Sequence, residues 1–97
     1  MTLGDSSLRE TFFDECDLLL GKASSLFGSL ADGQSRADFK ELHRCVHGIA
    51  GSAASMDMPH LASLARALEG RLDPLRELGA WPDTGYRALC GDALGEL

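Results

Sequence analysis

Apolar residues recur three or four positions apart along most of this chain, and this spacing limits its fold more than any other feature. The first such stripe consists of Leu8, Phe12, Phe13, Cys16, Leu19, Leu20, Ala23, Leu26, Phe27 and Leu30. This spacing is typical of an amphipathic helix, which we predict from Ser7 to Leu30. The chain has no alternating run of β-branched residues, and Val46 is its one valine. The sequence therefore predicts an all-α fold.

A second helix is predicted to begin at Ser35 or Asp38, either of which can cap its first turn. Its apolar face is formed by Phe39, Leu42, Cys45, Val46, Ile49 and Ala53. Asp57 and Pro59 are start signals for a third helix. The buried face of this helix is formed by Leu61, Leu64, Ala65, Leu68 and Leu72.

A fourth helix is predicted to begin near Asp83 or Thr84, and its apolar pattern still continues where the sequence stops. Its apolar residues are Tyr86, Leu89, Cys90, Ala93, Leu94 and Leu97. Four amphipathic helices with short connections predict an antiparallel up-and-down four-helix bundle. The unfinished pattern leads us to expect that residues 1–97 are one domain of a longer protein.

Three connections are expected between these helices. Residues 31–34 are predicted to form a turn, and Asp73 with Pro74 is predicted to end or kink the third helix. Leu75 and Leu78 are expected to add one further turn. The only tryptophan follows in the next connection, where we expect it to close one end of the core.

Length and charge limit the class of function. The 97 residues are enough for one small domain with a single core. A formal net charge of -6 leaves no basic patch for nucleic acid or an anionic membrane, so proteins are the expected partners. No signal peptide is recognisable, and no apolar run approaches the roughly 18 residues that span a bilayer. Cys16, Cys45 and Cys90 include no CxxC pair, and we interpret them as free, buried thiols in a reducing cytoplasm.

The segment from His47 to Ser55 departs from ordinary helix composition, because only Ile49 among the residues after the histidine is larger than serine. Glycine within a helix costs about 1 kcal/mol relative to alanine, so Gly48 and Gly51 indicate a role other than helix stability. His47 lies about 140° from the centre of the apolar face and is expected to face water. We predict that a partner protein contacts this surface. The expected contact residues are His43, Gly48, Gly51, Ser52, Ala54, Ser55, Met56 and Met58.

The imidazole of His47 is itself a candidate nucleophile. A neutral imidazole attacks phosphorus at neutral pH, and nearby cations stabilise the incoming phosphoryl group. Lys40 and Arg44 supply such cations on the same helix. These residues favour a phosphohistidine, and the alternative interpretation is an ordinary exposed histidine without a chemical role.

Two segments resemble a known family. Residues 47–69 resemble the signature of histidine-phosphotransfer (HPt) domains, in which a small-residue stretch follows a histidine and a leucine-rich helix carries a glutamate. The matching positions are His47, Ile49, Ala50, Gly51, Ser52, Met56, Asp57, Leu61, Leu64, Leu68 and Glu69. Residues 11–19 are similar to the first helix of the N-terminal domain of the chemotaxis histidine kinase CheA. The resemblance thus implies an HPt domain from the N-terminus of a CheA-like kinase.

The resemblance also implies a chemical role for particular residues. His47 would accept a phosphoryl group from an ATP-bound kinase domain and donate it to an aspartate of a CheY-like response regulator. Glu69 would hydrogen-bond one imidazole nitrogen and leave Nε2 to attack. ATP and Mg²⁺ would belong to the kinase and regulator, so no cofactor is expected in this domain. Ala50 replaces a family lysine, for which Lys40 or Arg44 could partly substitute.

Asp57 is the second departure from the family pattern, since it replaces a glycine at a turn where aspartate tolerates a left-handed backbone. His43 and His47 could hold a metal together with His60, but there is no HExxH motif and we expect no metal site. No P-loop or G-x-S-x-G motif indicates an independent catalytic centre. The alternative function is a non-catalytic helical adaptor, a degenerate HPt domain that docks a signalling partner without being phosphorylated.

Overall fold

The computed structural model of the protein describes residues 3–30 and 35–97, with side chains from residue 10 onward. Its helices are α1 (Leu3–Ser29), α2 (Arg36–Ser55), α3 (Pro59–Leu72), α4 (Leu75–Leu78) and α5 (Thr84–Glu96). No strand occurs within the described ranges, and the predicted all-α class is confirmed. The predicted turn at 31–34 and the side chain of Leu8 lie outside the described residues.

The predicted start of the first helix was wrong by four residues, since α1 begins at Leu3 rather than Ser7. The apolar pattern begins at Leu8 and cannot mark a helical turn that precedes it. The single-turn α4 agrees with the extra turn predicted at Leu75 and Leu78, and Gly79 ends it with a left-handed φ of 68°.

Side-chain caps settle two of the predicted helix starts. The hydroxyl of Ser35 accepts a hydrogen bond of 3.3 Å from the backbone N–H of Asp38, so Ser35 is the cap of α2. A carboxylate oxygen of Asp83 accepts one of 2.7 Å from the backbone N–H of Tyr86 and caps α5. Helix α3 begins at Pro59, as predicted, but its N-cap is Met58 rather than Asp57, and Met58 makes no side-chain cap bond.

Asp57 has a different role at that corner. Its φ is 56°, so it adopts the left-handed conformation expected where the family carries glycine. The backbone N–H of Asp57 donates to Ala54, and that of Met58 donates to Ala53, which satisfies carbonyls at the end of α2. The chain therefore turns from α2 into α3 without a capping side chain.

Helix α2 is central, because it packs against α1, α3 and α4, while α3 also packs against α5. All six apolar residues predicted for its inner face are buried. Cys16, Cys45 and Cys90 are buried free thiols, as predicted, and burial raises the pKa of each. They act as small apolar residues of the core.

Trp81 lies at one end of the core, as predicted. Its ring meets Phe27 and Phe39 edge to face, with centroid distances of 5.5 and 5.0 Å. Phe27 also packs against Gly91 of α5, where a Cβ atom would lie 2.9 Å from the ring. The tryptophan thus connects the ends of α1 and α2 beside α5.

Among the described side chains of the predicted apolar stripes, two are exposed to solvent. Phe13 is 52% exposed and Leu89 is 54% exposed, although Phe12 and Cys90 beside them are buried. Successive helical residues point about 100° apart, so a broad stripe cannot face the core at every position. Leu64, predicted on the buried face of α3, is half-buried for the same reason.

Contacts between α1 and α2 fix their relative positions. Gly48 lies against Leu19, and Nζ of Lys22 lies 3.0 Å from Oε1 of Glu41. Lys22, which follows Leu19 in α1, therefore meets Glu41, which precedes Gly48 in α2. This pairing presents the segment after His47 beside the first half of α1.

Candidate functional site

His47 lies on the exposed side of α2, with 69% of its side chain accessible to solvent. The helix is anchored in the core on both sides of His47, because Val46 directly before it and Ile49 two residues after it are buried. The predicted exposure of His47 is therefore confirmed. A reagent or protein can approach the ring from solvent.

Glu69 reaches His47 from α3. Its Oε2 atom lies 2.7 Å from Nδ1 of His47. An ionised carboxylate only accepts hydrogen bonds, so Nδ1 carries the proton and donates it. In the neutral ring this leaves Nε2 unprotonated, with its lone pair available. The bond fixes both the tautomer and the orientation of the exposed ring.

His43 lies one turn earlier on α2 and shares the same carboxylate. Its ring is nearly parallel to that of His47, with 6.4 Å between centroids and 9° between planes. Nε2 of His43 lies 3.8 Å from Oε2 of Glu69 and 3.7 Å from Oδ1 of Asp73. Burial lowers the pKa of His43, and the charge of Arg76 lowers it further, against the opposing effect of the two carboxylates. The folded protein thus disfavours the charged form of His43 relative to a fully hydrated imidazole.

These groups line one open cleft at the junction of α2, α3 and α4. Its lining residues are Lys40, His43, Arg44, His47, Glu69, Asp73 and Arg76. The structure therefore brings together all four residues proposed for phosphate chemistry from the sequence, Lys40, Arg44, His47 and Glu69. Arg44 is 76% exposed and lies 3.4 Å from Oε1 of Glu41, so its guanidinium remains accessible.

Two residues of this cleft, Asp73 and Arg76, were not predicted from the sequence. Both follow the matched signature, and a prediction based on helical spacing treated this region only as a helix end. Their position depends on the one-turn helix α4, which folds back against α2. Such a tertiary contact has no periodic signal in the sequence.

The small residues after His47 do not form one uniform surface. A Cβ atom at Gly51 would meet nothing within 4 Å, so this glycine faces open space as predicted. A Cβ atom at Gly48 would lie 3.2 Å from Cδ1 of Leu19, so Gly48 permits close packing with α1. This packing role of Gly48 was not predicted from the sequence, and its contact with a partner stays a prediction.

Ala50, which stands where the family has lysine, is 2% exposed and belongs to the core. A helical residue three positions after His47 is turned about 300° from it, and here this direction points inward. The family lysine position therefore contributes no surface group in this chain.

The remaining predicted partner contacts line three further surface hollows. Gly51, Ser52, Ser55 and Met56 line a groove with Thr11, Phe12 and Glu15 of α1. Met56 and Met58 line an adjoining hollow with Phe12, Phe13 and Asp57. Ala54 is exposed on the α3 side, where it lines a hollow with Met58 and Arg66. The methionines therefore lie at the end of the surface that begins at His47.

Within the described ranges, no group of three His, Cys, Asp or Glu side chains has a geometry that could hold a metal ion. None of the helices in the same ranges is long and apolar enough to cross a membrane.

The described residues form an all-helical module whose exposed histidine is bonded to a carboxylate of the next helix. A family model described as Hpt domain matches residues 7–95. The chain therefore belongs to the Hpt family, whose members carry out histidine phosphotransfer in two-component signalling. Hpt domains interact with kinases and response regulators and carry phosphoryl groups without being catalytic themselves. Comparison with curated proteins and with solved structures gives no significant match.

Proposed function

We propose that His47 is the phosphoacceptor of this Hpt domain. The observation that supports this most directly is the 2.7 Å contact from Nδ1 of His47 to Glu69 on an otherwise exposed ring. The free Nε2 lone pair attacks the γ-phosphorus of ATP held by a kinase domain. A bond from Nε2 to phosphorus forms, the bond from phosphorus to the bridging oxygen breaks, and ADP leaves.

Glu69 stabilises the product of this step. Phosphorylation at Nε2 leaves Nδ1 protonated, so the ring becomes cationic and its proton is directed at the carboxylate. In the second step a regulator aspartate attacks the phosphorus, the phosphorus–nitrogen bond breaks, and Nε2 recovers its lone pair. Lys40 and Arg44 stabilise the negative charge of the phosphoryl group. ATP and Mg²⁺ bind to the kinase and regulator.

The proposed pathway is chemotaxis-type. Residues 11–19 resemble the first helix of the CheA N-terminal domain, which supports a CheA-like kinase as the parent chain and a CheY-like regulator as the acceptor. We assign the relay to the cytoplasm. The reversed order of the α1–α2 contacts supports the antiparallel up-and-down arrangement of the helices.

A phosphorylation assay tests the role of His47. The domain is incubated with a kinase core of this family and labelled ATP, and acid-labile, base-stable label is expected on the wild type. His47→Gln is expected to lose all of it. His60→Gln removes an exposed histidine from α3 and is the matched control that keeps the label.

The alternative is an adaptor that docks a partner without being phosphorylated. The observation that favours it is Ala50, because the family's lysine is missing and the position is buried. Specific binding of a regulator without any label on His47 would support the adaptor and reject the phosphoacceptor.

A further inference from the structure

The cations of the cleft all lie on one side of His47. Lys40 and Arg44 precede it on α2, and Arg76 reaches the cleft from α4. Among the described residues that line the cleft, no cation follows His47 on α2. Position 50, where the family signature has lysine, is a core alanine. The positive charge that could stabilise a phosphoryl group on Nε2 would therefore lie on the side of His47 that faces α4.

Arg76 is held in this cleft by a single exposed carboxylate. Its guanidinium donates to Oδ1 of Asp73, and its Nε lies 3.4 Å from the Asp73 carbonyl oxygen. The side chains of Arg76 and Asp73 are 42% and 55% exposed, so water screens this pair. Arg76 is also close enough to His43 for its charge to lower the pKa of that ring.

We propose that Arg76 is a phosphate-binding residue that exchanges Asp73 for the phosphoryl group on His47. This inference rests on the proposed function of His47. A phosphoryl group carries more negative charge than one carboxylate and offers three acceptor oxygens to the fork of a guanidinium. A flexible exposed arginine pays little to leave a screened ion pair for this partner. Arg76, which lies on α4, thus supplies the positive charge that the family's lysine would supply from α2.

The exchange gives Asp73 a definite role. In the unphosphorylated protein Asp73 pairs with Arg76. After phosphorylation it competes with the phosphoryl group for Arg76, so the two substitutions should act in opposite directions. Arg76→Gln removes the cation from the phosphorylated state. Asp73→Asn removes the competitor and leaves the cation in place. A residue that only supports the α3–α4 junction would not produce opposite effects.

The test is the equilibrium between His47 and the kinase at a fixed ratio of ATP to ADP. Arg76→Gln is expected to reduce the ratio of phosphorylated to unphosphorylated domain about five-fold, the scale of one exposed ion pair. Asp73→Asn is expected to raise the ratio. Arg66→Gln removes the same charge from an exposed site on α3 that lines a different hollow, and should leave the ratio unchanged.

A ³¹P titration of the phosphorylated domain gives a readout that folding stability does not move. Loss of a cation beside the phosphoryl group should raise its second pKa, so Arg76→Gln is expected to titrate at higher pH than wild type and Arg66→Gln. Equal ratios and equal titrations for Arg76→Gln and Arg66→Gln would overturn the role of Arg76 and leave His47 as the phosphoacceptor. A wild-type domain without label would instead reject the proposed function itself.

Discussion

Nδ1 of His47 and Oε2 of Glu69 lie 2.7 Å apart and join α2 to α3 at the protein surface. The two residues are 22 positions apart in the sequence, so only the packing of the two helices brings them together. Because α2 and α3 are anchored by buried residues on both sides of this contact, the ring is held without being covered. One nitrogen is therefore committed to the fold, and the other is available for chemistry.

Glu69→Gln tests the chemical part of this relationship. The amide keeps an acceptor oxygen for Nδ1 but removes the negative charge that stabilises the phosphorylated ring. We expect phosphorylation of His47 to slow about ten-fold or more, as for other carboxylate partners of reactive histidines. The free energy of unfolding should change by less than about 1 kcal/mol, because the pair is partly exposed.

Glu96→Gln is the matched control, since it removes an exposed carboxylate at the end of α5, away from the residues that line the cleft. It should leave the phosphorylation rate unchanged. If Glu69→Gln loses stability in proportion to its rate, the glutamate is a structural residue and the orienting role is rejected.

The glycines at 48 and 51 should respond in opposite ways to leucine. Gly51→Leu places its side chain in open space, so the fold should persist and the helix should gain up to about 1 kcal/mol. The same side chain blocks the approach of a regulator, and phosphotransfer should fall. Gly48→Leu crowds Leu19 and should lower stability by about 1–3 kcal/mol. Thermal unfolding and a transfer assay with phosphorylated domain distinguish the two effects, and wild-type transfer by Gly51→Leu would exclude this surface.

The different surroundings of Gly48 and Gly51 depend on helix packing, which the sequence pattern does not predict. Helical periodicity located the four long helices, and local side-chain chemistry located the caps Ser35 and Asp83. The same periodicity does not show how closely α1 approaches α2, so the packing of Gly48 against Leu19 was not predicted. Glu69 was found through resemblance to a family signature and not through spacing, whereas Arg76 had no signal of either kind. Elements set by local interactions were predictable, and contacts set by packing were not.

Met56 and Met58 are the residues we expect to anchor a regulator. Both are half-buried beside Phe12 and the exposed Phe13, and flexible thioethers adapt to an apolar partner surface. Met56→Glu or Met58→Glu should weaken binding of the cognate regulator about ten-fold, the scale of a substantial interface residue. Titration calorimetry measures this affinity. Leu89→Glu adds the same charge at an exposed leucine of α5 and should leave the affinity unchanged.

A uniform loss of affinity in all three variants would indicate a general charge effect. Unchanged affinity in both methionine variants would place the docking surface elsewhere on the domain.

We expect protonation of His43 to lower the free energy of unfolding of the domain in mild acid. Its pKa lies below the ordinary value of 6.5, chiefly because burial disfavours the charged ring. Arg76 and His47 add to this effect, while Glu69 and Asp73 oppose it. The unfolded chain therefore binds the proton more readily than the folded protein, and stability falls as the pH decreases from about 6.5 toward the lowered pKa of the folded state. Above that window the contribution is constant.

We expect the unfolding temperature of the wild type to decrease between pH 7.5 and pH 5.5, before most carboxylates titrate at about pH 4. His43→Gln has no proton to gain at this position, so its unfolding temperature should change less over the same interval. His60→Gln removes an exposed imidazole of α3 and should keep the wild-type dependence. Parallel pH profiles for His43→Gln and wild type would assign the acid sensitivity to other groups, whereas a flattened profile for His43→Gln alone identifies the half-buried ring beside Glu69 as its source.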